Sequence, residues 1–366
     1  MAKGAYIGVG GVARKIKKGY IGVDGVARKI KKAYIGIGGV ARPCWGGGLE
    51  YYGKITALSA ARYKLAATTV GNYALFGGGT KGSTRQNVVD AYNAALTRST
   101  PTALSAGREN LAATTVGSYA LFGGGATAGS TYSAVVDAYN ASLTRSTPTA
   151  LSAARTEPAA TTIGNYALFG GGYTGSYSAV VDAYNASLTR STPTALSVAR
   201  YLHAATTVGS YALFGGGKGS SYSAVVDAYN ASLTRSTPTA LSEARRYLAA
   251  TTVGNYALFG GGDTGSDSDV VDAYDKSLTR TTPAALNSSQ KDLDATTVGN
   301  FALFAGGYYE TAVSVYDESL TRTKLTLSQW RRFPAATTVG NYAMFGGGYT
   351  TNTSAQLDSV EAYIAT

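Results

Sequence analysis

Histidine and cysteine are almost missing from this 366-residue chain, which has one of each, His203 and Cys44. A lone cysteine excludes an intramolecular disulfide, and a lone histidine beside it removes Cys/His zinc and copper sites. No metal and no cofactor is expected. No apolar run approaches membrane-spanning length, so no membrane insertion is expected. Met1 to Val9 lacks the apolar stretch and cleavage site of a secretory signal. Acidic residues number 21 against 32 Lys and Arg, and the surplus is local. Residues 1–45 hold ten Lys/Arg and only Asp24, so +9 of the net +11 sits there.

What the chain has in quantity is repetition. A block reading A-A-T-T-V-G-N-Y-A-L-F-G-G-G occurs seven times, about 45 residues apart, with its tyrosine at Tyr73, Tyr119, Tyr166, Tyr211, Tyr256 and Tyr342 and Phe301 in the sixth copy. That period, with glycine runs and alternating apolar residues, predicts an all-β seven-bladed β-propeller over residues 54–366. One copy parses into an inner strand before Gly71-Asn72, a second over Tyr73 to Phe76, a third over Val88 to Tyr92 and a fourth through Thr102 to Leu104. Gly-Asn between the first two suits a type II′ hairpin. The last copy ends on a third strand, Ser359 to Tyr363, and an orphan fourth strand precedes the first copy. Residues 54–60 are therefore expected to complete the seventh blade and close the ring.

A shorter repeat fills the N-terminal arm, residues 1–46: A-Y-I-G-V-G-G-V-A-R-K-I-K-K, a second copy with Asp24-Gly25, and a truncated third ending at Trp45. Each reads as a β-hairpin with a two-residue turn. Three such hairpins make too little core to be stable alone, so the arm is expected to be ordered by a partner or by its own copies. Its lysines read as a solvated face that blocks edge pairing, as a dock for an acidic protein, or, least favoured for want of a recognised module, as a nucleic-acid contact. Residues 47–53 read as a Gly-rich linker.

The repeats predict an ion pair. The third strand carries Asp90, Asp137, Asp182, Asp227, Asp272 and Glu361; the approach to the inner strand carries Arg62, Arg108, Arg155, Arg200, Arg245 and Arg331. The sixth copy loses both together, with Ser314 and Gln290. Joint loss points to contact within a blade, since removing one partner strands a charge. The competing reading is a ring of arginines for an anion.

The copies differ in two loops assigned to one face, and hardly at all in the loops of the other. The inter-blade loop carries Tyr63, Lys64, Glu109, Asn110, Glu157, Tyr201, His203, Arg246, Tyr247, Trp330, Arg332 and Phe333. The loop from second to third strand carries Tyr173, Lys218, Tyr308, Tyr309 and Tyr349. Neutral drift strikes exposed loops on both faces, so variation confined to one face and rich in aromatics and cations reads as a recognition surface. A recent duplication in which only these loops tolerate change is the plainer alternative.

Other chemistry finds little footing. Asp263 to Asp269 has oxygen ligands but departs from the EF-hand pattern. Residues 77–84 and 215–221 lack Walker spacing. Asn140 and Asn185 head sequons that fall in blade turns. Cys44 has no histidine near it in sequence and reads as a packed thiol. A polysaccharide-cleaving enzyme would need a carboxylate pair such as Glu109 and Glu157 brought to roughly 5–10 Å.

Two resemblances bear on these residues. The order of a double-glycine strand end (Gly77 to Gly79), a tyrosine on the next strand (Tyr92) and an arginine leading to the next blade (Arg108) resembles the kelch repeat across residues 54–366. The tryptophan that follows the kelch tyrosine is missing. Kelch-like propellers include a copper oxidase needing two histidines, which His203 alone does not supply. S-x-D-x-G-x-T-W boxes of propeller glycosidases are not matched. The arm's Y-I-G-V-G-G-V-A-R-K-I-K-K units resemble repeats at the N-termini of virion proteins, tail-associated ones among them, in phages and prophages of Gram-positive bacteria. That resemblance implies a virion component made in the bacterial cytoplasm without a signal peptide, multi-copy or homo-oligomeric, held to other virion proteins by residues 1–46. The expected function is non-enzymatic recognition of a host-surface glycan or protein, with a structural virion subunit or a polysaccharide-cleaving enzyme as the alternatives.

Overall fold

In the computed structural model, residues 48–350 and 355–366 are described in full, with the backbone alone for six strands between residues 6 and 45. Those six form three separate hairpins: Tyr6–Val9 with Val12–Lys15, Tyr20–Val23 with Val26–Lys29, and Ala33–Ile37 with Val40–Trp45. Val9 pairs with Val12 and Val23 with Val26, so two residues connect the strands. The turn residues themselves, Asp24-Gly25 included, lie outside the described residues.

The other described residues form seven four-stranded antiparallel sheets, with two-stranded ribbons in the loops at Thr80–Lys81, Ala126–Ala128 and Tyr349–Thr350. In the first blade the order from inside outward is Ala66–Val70, Tyr73–Gly77, Val89–Asn93 and Arg98–Ser99. Alternation explains the inner strand, where Ala66, Thr68 and Val70 are buried and Ala67 and Thr69 less so. The second and third strands are buried on both sides because each blade is sandwiched between two others. Gly71 takes φ +53 in the two-residue loop between Val70 and Tyr73, while Asn72 does not cross to positive φ, in keeping with a type II′ turn.

The blade seam rests on an aromatic and a glycine. Phe76 meets Tyr92 of its own blade edge-on, ring centroids 5.9 Å apart. A Cβ on Gly77 would stand 2.8 Å from the Phe122 ring of the next blade, so glycine makes room for that ring. The contact recurs in five further blades, with Gly346 of the seventh receiving Phe76 of the first, while in blade six Ala305 takes the glycine's place and packs in one cluster with Phe345.

The fourth strand departs from the expected parse. It is Arg98–Ser99, not Thr102 to Leu104. Pro101 has no N–H to give a ladder, and the T-A-L-S segment beyond it crosses to the following blade. There Leu104 is buried, Tyr139 Oη donates to the Thr102 carbonyl, and Ser105 N–H donates to Asp137. The same shift corrects the closure. Blade seven is completed by Leu49–Ile55, paired with Val360–Ala365 from Ala365↔Leu49 to Val360↔Ile55, rather than by residues 54–60. Residues 49–53, read as linker, are strand.

Each third-strand acid gathers three partners. Asp90 holds Arg62 at 2.7 Å with both side chains fully buried, accepts Ser59 N–H at 3.1 Å, and lies 3.7 Å from Arg98 of the fourth strand. Arg155–Asp182 at 2.7 Å, Arg200–Asp227 at 2.8 Å and Arg245–Asp272 at 2.8 Å repeat the buried pair, as does Arg108–Asp137. Arg331–Glu361 at 2.6 Å adds Tyr51 Oη from the closing strand in place of the second arginine. In blade six Ser314 Oγ takes over the backbone contact from Asn287, and buried Gln290 leaves its amide N and O without partners. These arginines are enclosed in the blades and offer no surface to an anion.

Candidate functional site

Both variable loops of a blade are joined at one end of the disc. Antiparallel bridges link Tyr63 to Thr80, Glu109 to Ala126, Thr156 to Tyr173, Tyr201 to Lys218, Arg246 to Asp263 and Arg332 to Tyr349. The near-invariant loops occupy the opposite end, where a Cβ on Gly71 would touch Ala141 in the turn of the next blade at 3.0 Å.

At the axis of the variable face the backbone makes a belt. One residue per blade, Lys64, Asn110, Glu157, Leu202, Tyr247, Asp292 and Phe333, has φ between +49 and +58. Six of their amides donate to the carbonyl of the preceding ring member: Asn110 to Lys64 (3.0 Å), Glu157 to Asn110 (2.9 Å), Tyr247 to Leu202 (3.0 Å), Asp292 to Tyr247 (3.3 Å), Phe333 to Asp292 (2.8 Å) and Lys64 to Phe333 (3.4 Å). A left-handed conformation costs a residue with a Cβ about 1 kcal/mol, and glycine nothing. The chain carries a side chain at all seven places, as it does at Leu96, Leu143, Leu188, Leu233, Leu278 and Leu320 in the turns of the opposite face.

Those side chains surround a cavity of about 250 Å³. The residue following each ring member lies deeper and is buried: Leu65, Leu111, Pro158, His203, Leu248, Leu293 and Pro334 complete the lining. The result is a polar rim over an apolar floor. Burial pushes the Glu157 carboxyl up to about 7, with Lys64 and Arg246 pulling it down and Glu109 adding to the rise. Burial and then the Glu157 and Asp292 charges push the Tyr247 hydroxyl up to about 12. Asp292 is raised by burial against the pull of Arg332, which it holds at 2.5 Å.

Outside the rim stand aromatic clusters. Tyr173, Tyr177 and Tyr201 pack together, with Tyr177 stacked on Tyr201 at 5.7 Å and Tyr132 edge-on to Tyr173. Tyr63 lies between Tyr349 (5.4 Å) and Phe333 (6.4 Å), and Lys64 Nζ sits over both Tyr63 and Phe333. Tyr308, Tyr309 and Trp330 form a third group, with the Arg332 guanidinium 5.1 Å from the Tyr308 ring. Arg246 and Lys218 both lie over Tyr222. Tyr309 is 54% exposed and Tyr177 40%, so these faces are open to a ligand.

Several residues expected at this surface play other parts. His203 is 8% exposed and fills the floor position that is leucine or proline in the other blades. Burial holds it neutral, far below the usual imidazole range. Glu109 is buried and held by Arg85 at 2.9 Å. Arg246 is engaged by Asp263 at 2.9 Å, and Lys291 takes Asp267 at 2.9 Å, so cations already occupy the acidic run considered for calcium. Residue reading passed over Leu202 and Asp292 on the rim and Tyr132, Tyr177 and Tyr222 in the clusters. The rim follows a legible rule, two positions after each buried arginine. The three tyrosines sit farther along loops of unequal length, where no register was available.

No protein-family profile matches the sequence, and no curated protein matches it. A solved structure described as "Structure of YjhT" superposes with a TM-score of 0.55 over 84% of this chain and 96% of its own, at 12% sequence identity. At that identity the likeness speaks for the fold alone. The class is therefore a seven-bladed β-propeller with a ringed axial cavity on its variable face.

Proposed function

We propose that this propeller is a non-enzymatic recognition protein of a phage particle, binding a host-surface glycan or protein through the variable face. The arm of residues 1–46 would fasten it to other virion proteins, and its kelch-like blades would serve as scaffold. The observation that carries this reading is the axial cavity: its rim changes from blade to blade and is ringed by exposed aromatic clusters, on the face where the repeats diverge. Aromatic faces bind sugars and peptides at low entropy cost, and many copies on one particle would turn weak single contacts into avidity. A binding role is favoured over hydrolysis because the acids that could serve beside Glu157 are already engaged, Glu109 by Arg85 and Asp292 by Arg332.

The test is a glycan array and a host-cell adsorption assay with the full chain. Tyr177→Ala with Trp330→Ala is expected to lower adsorption at least tenfold while leaving the Tm within a few degrees. Undiminished adsorption would sink the variable-face reading. Unstable particles with intact adsorption would point to a structural subunit, and reducing ends released from host polysaccharide to an enzyme.

A further inference from the structure

The axial cavity is a chemically specific space within that face. We infer that it receives one neutral pyranose unit, the terminal sugar of a glycan, inserted end-on along the propeller axis. This inference rests on the recognition reading above and narrows it to a carbohydrate.

Three features exclude other occupants. The first is charge. Arg246, Arg332 and Lys291 are each held by a carboxylate, and the rim sets Glu157 and Asp292 against Lys64, so neither sign of charge predominates around the cavity. The same Lys64 opposes a cationic guest. The second is polarity. The rim offers donors and acceptors together in the Asn110 amide, the Tyr247 hydroxyl and the Glu157 carboxyl. Vicinal hydroxyls, each both donor and acceptor, satisfy such a mixed ring, whereas an apolar peptide side chain would leave it unpaired. The third is shape. A floor of leucine and proline under the rim, with Tyr247 and Phe333 at its edge 6.2 Å apart, accepts the C–H face of a sugar ring. About 250 Å³ admits one ring and not a chain of them. Discrimination would come from these rim groups, since a guest lacking the matching hydroxyl leaves them desolvated.

The experiment is saturation-transfer NMR on the full chain with glucose, galactose, mannose, N-acetylglucosamine, N-acetylgalactosamine and rhamnose, and with glucuronate as the acidic control. At least one neutral sugar is expected to bind, and glucuronate no better. Leu202→Trp, which fills the cavity from a left-handed position already held by a large residue, should abolish the signal. Asn110→Ala, which removes a rim amide and leaves the space open, should weaken binding at least tenfold, both variants keeping the parent Tm. Binding by none of the neutral sugars, preference for glucuronate, or indifference to both substitutions overturns the inference. The two readings separate cleanly. Adsorption that survives Leu202→Trp but falls with Tyr177→Ala and Trp330→Ala keeps the recognition face and removes the axial site. Sugar binding lost only with Leu202→Trp, with adsorption unchanged by the aromatic substitutions, does the reverse.

Discussion

At the scale of single residues, blade six is the informative exception. Gln290 and Ser314 replace a buried Arg/Asp pair, and the Gln290 amide is left unsatisfied inside the blade. Gln290→Arg alone buries a guanidinium with no carboxylate, and Ser314→Asp alone buries the converse charge, so each single variant should lower the Tm. The double variant should recover, with a coupling of roughly 2–3 kcal/mol in a double-mutant cycle from urea unfolding. Elsewhere in the ring, Asp227→Ala strands Arg200 and Arg235 and should cost about 3–5 kcal/mol. Asp294 is a second departure. It replaces the alanine of the inner strand, accepts the N–H groups of Ala295 and Ala336, and burial raises its carboxyl from 3.8 to about 7. A carboxyl whose folded pKa lies above the unfolded value favours folding most below the unfolded one, and the benefit is lost as pH rises through 7. The protein should therefore have a higher Tm at pH 5 than at pH 8. Asp294→Ala should flatten that slope and raise stability at pH 8 by about 2 kcal/mol, a figure discounted because the residue is only half-buried. The remaining slope belongs to Glu157, raised in the same direction.

At the scale of elements, the closing strand carries the ring. Leu49–Ile55 is the one fourth strand drawn from the other end of the chain, and its Tyr51 hydroxyl donates to Glu361 at 3.0 Å. A chain beginning at residue 56 should lose protection of the Val360–Ala365 amides first in hydrogen exchange, and its Tm should fall by more than ten degrees. Equal protection across all blades would show that closure lies elsewhere. The fourth strand also marks where sequence reading slipped. T-A-L-S looks like a strand because it alternates, yet Pro101 and the Asp137 carboxylate claim its backbone for the crossing between blades. The partner of each buried arginine was legible because blade six lost both together. The second arginine, Arg145 on Asp137 at 3.0 Å, was not, since blade six retains Arg322 and bonds it to the carbonyls of Ala285 and Leu286 instead.

At the scale of the whole molecule, two faces of one disc have different duties. The near-invariant face is packed turn against turn, as at Gly71 and Ala141, and its Asn93 Oδ1 accepts the amides of Ala95 and Thr97 to fix the turn. The variable face carries the rim and the aromatic clusters. Replacing the ring residues Lys64, Asn110, Glu157 and Tyr247 together by glycine should relieve backbone strain and change the Tm by only a few degrees, while removing ligand binding. A collapse of the fold would assign those side chains to stability instead.

Repetition at about 45 residues settles the blade count and the all-β class, because a repeated unit that cannot bury its own faces must bury them against its copies. It also reveals which face varies, since strand alternation assigns each loop to an end of the disc. Tertiary structure alone decided where the fourth strand begins, that His203 is floor and not rim, and that Glu109 is spent on Arg85. Those outcomes depend on which buried group reaches a given backbone or charge first, and that competition is between segments far apart in the chain.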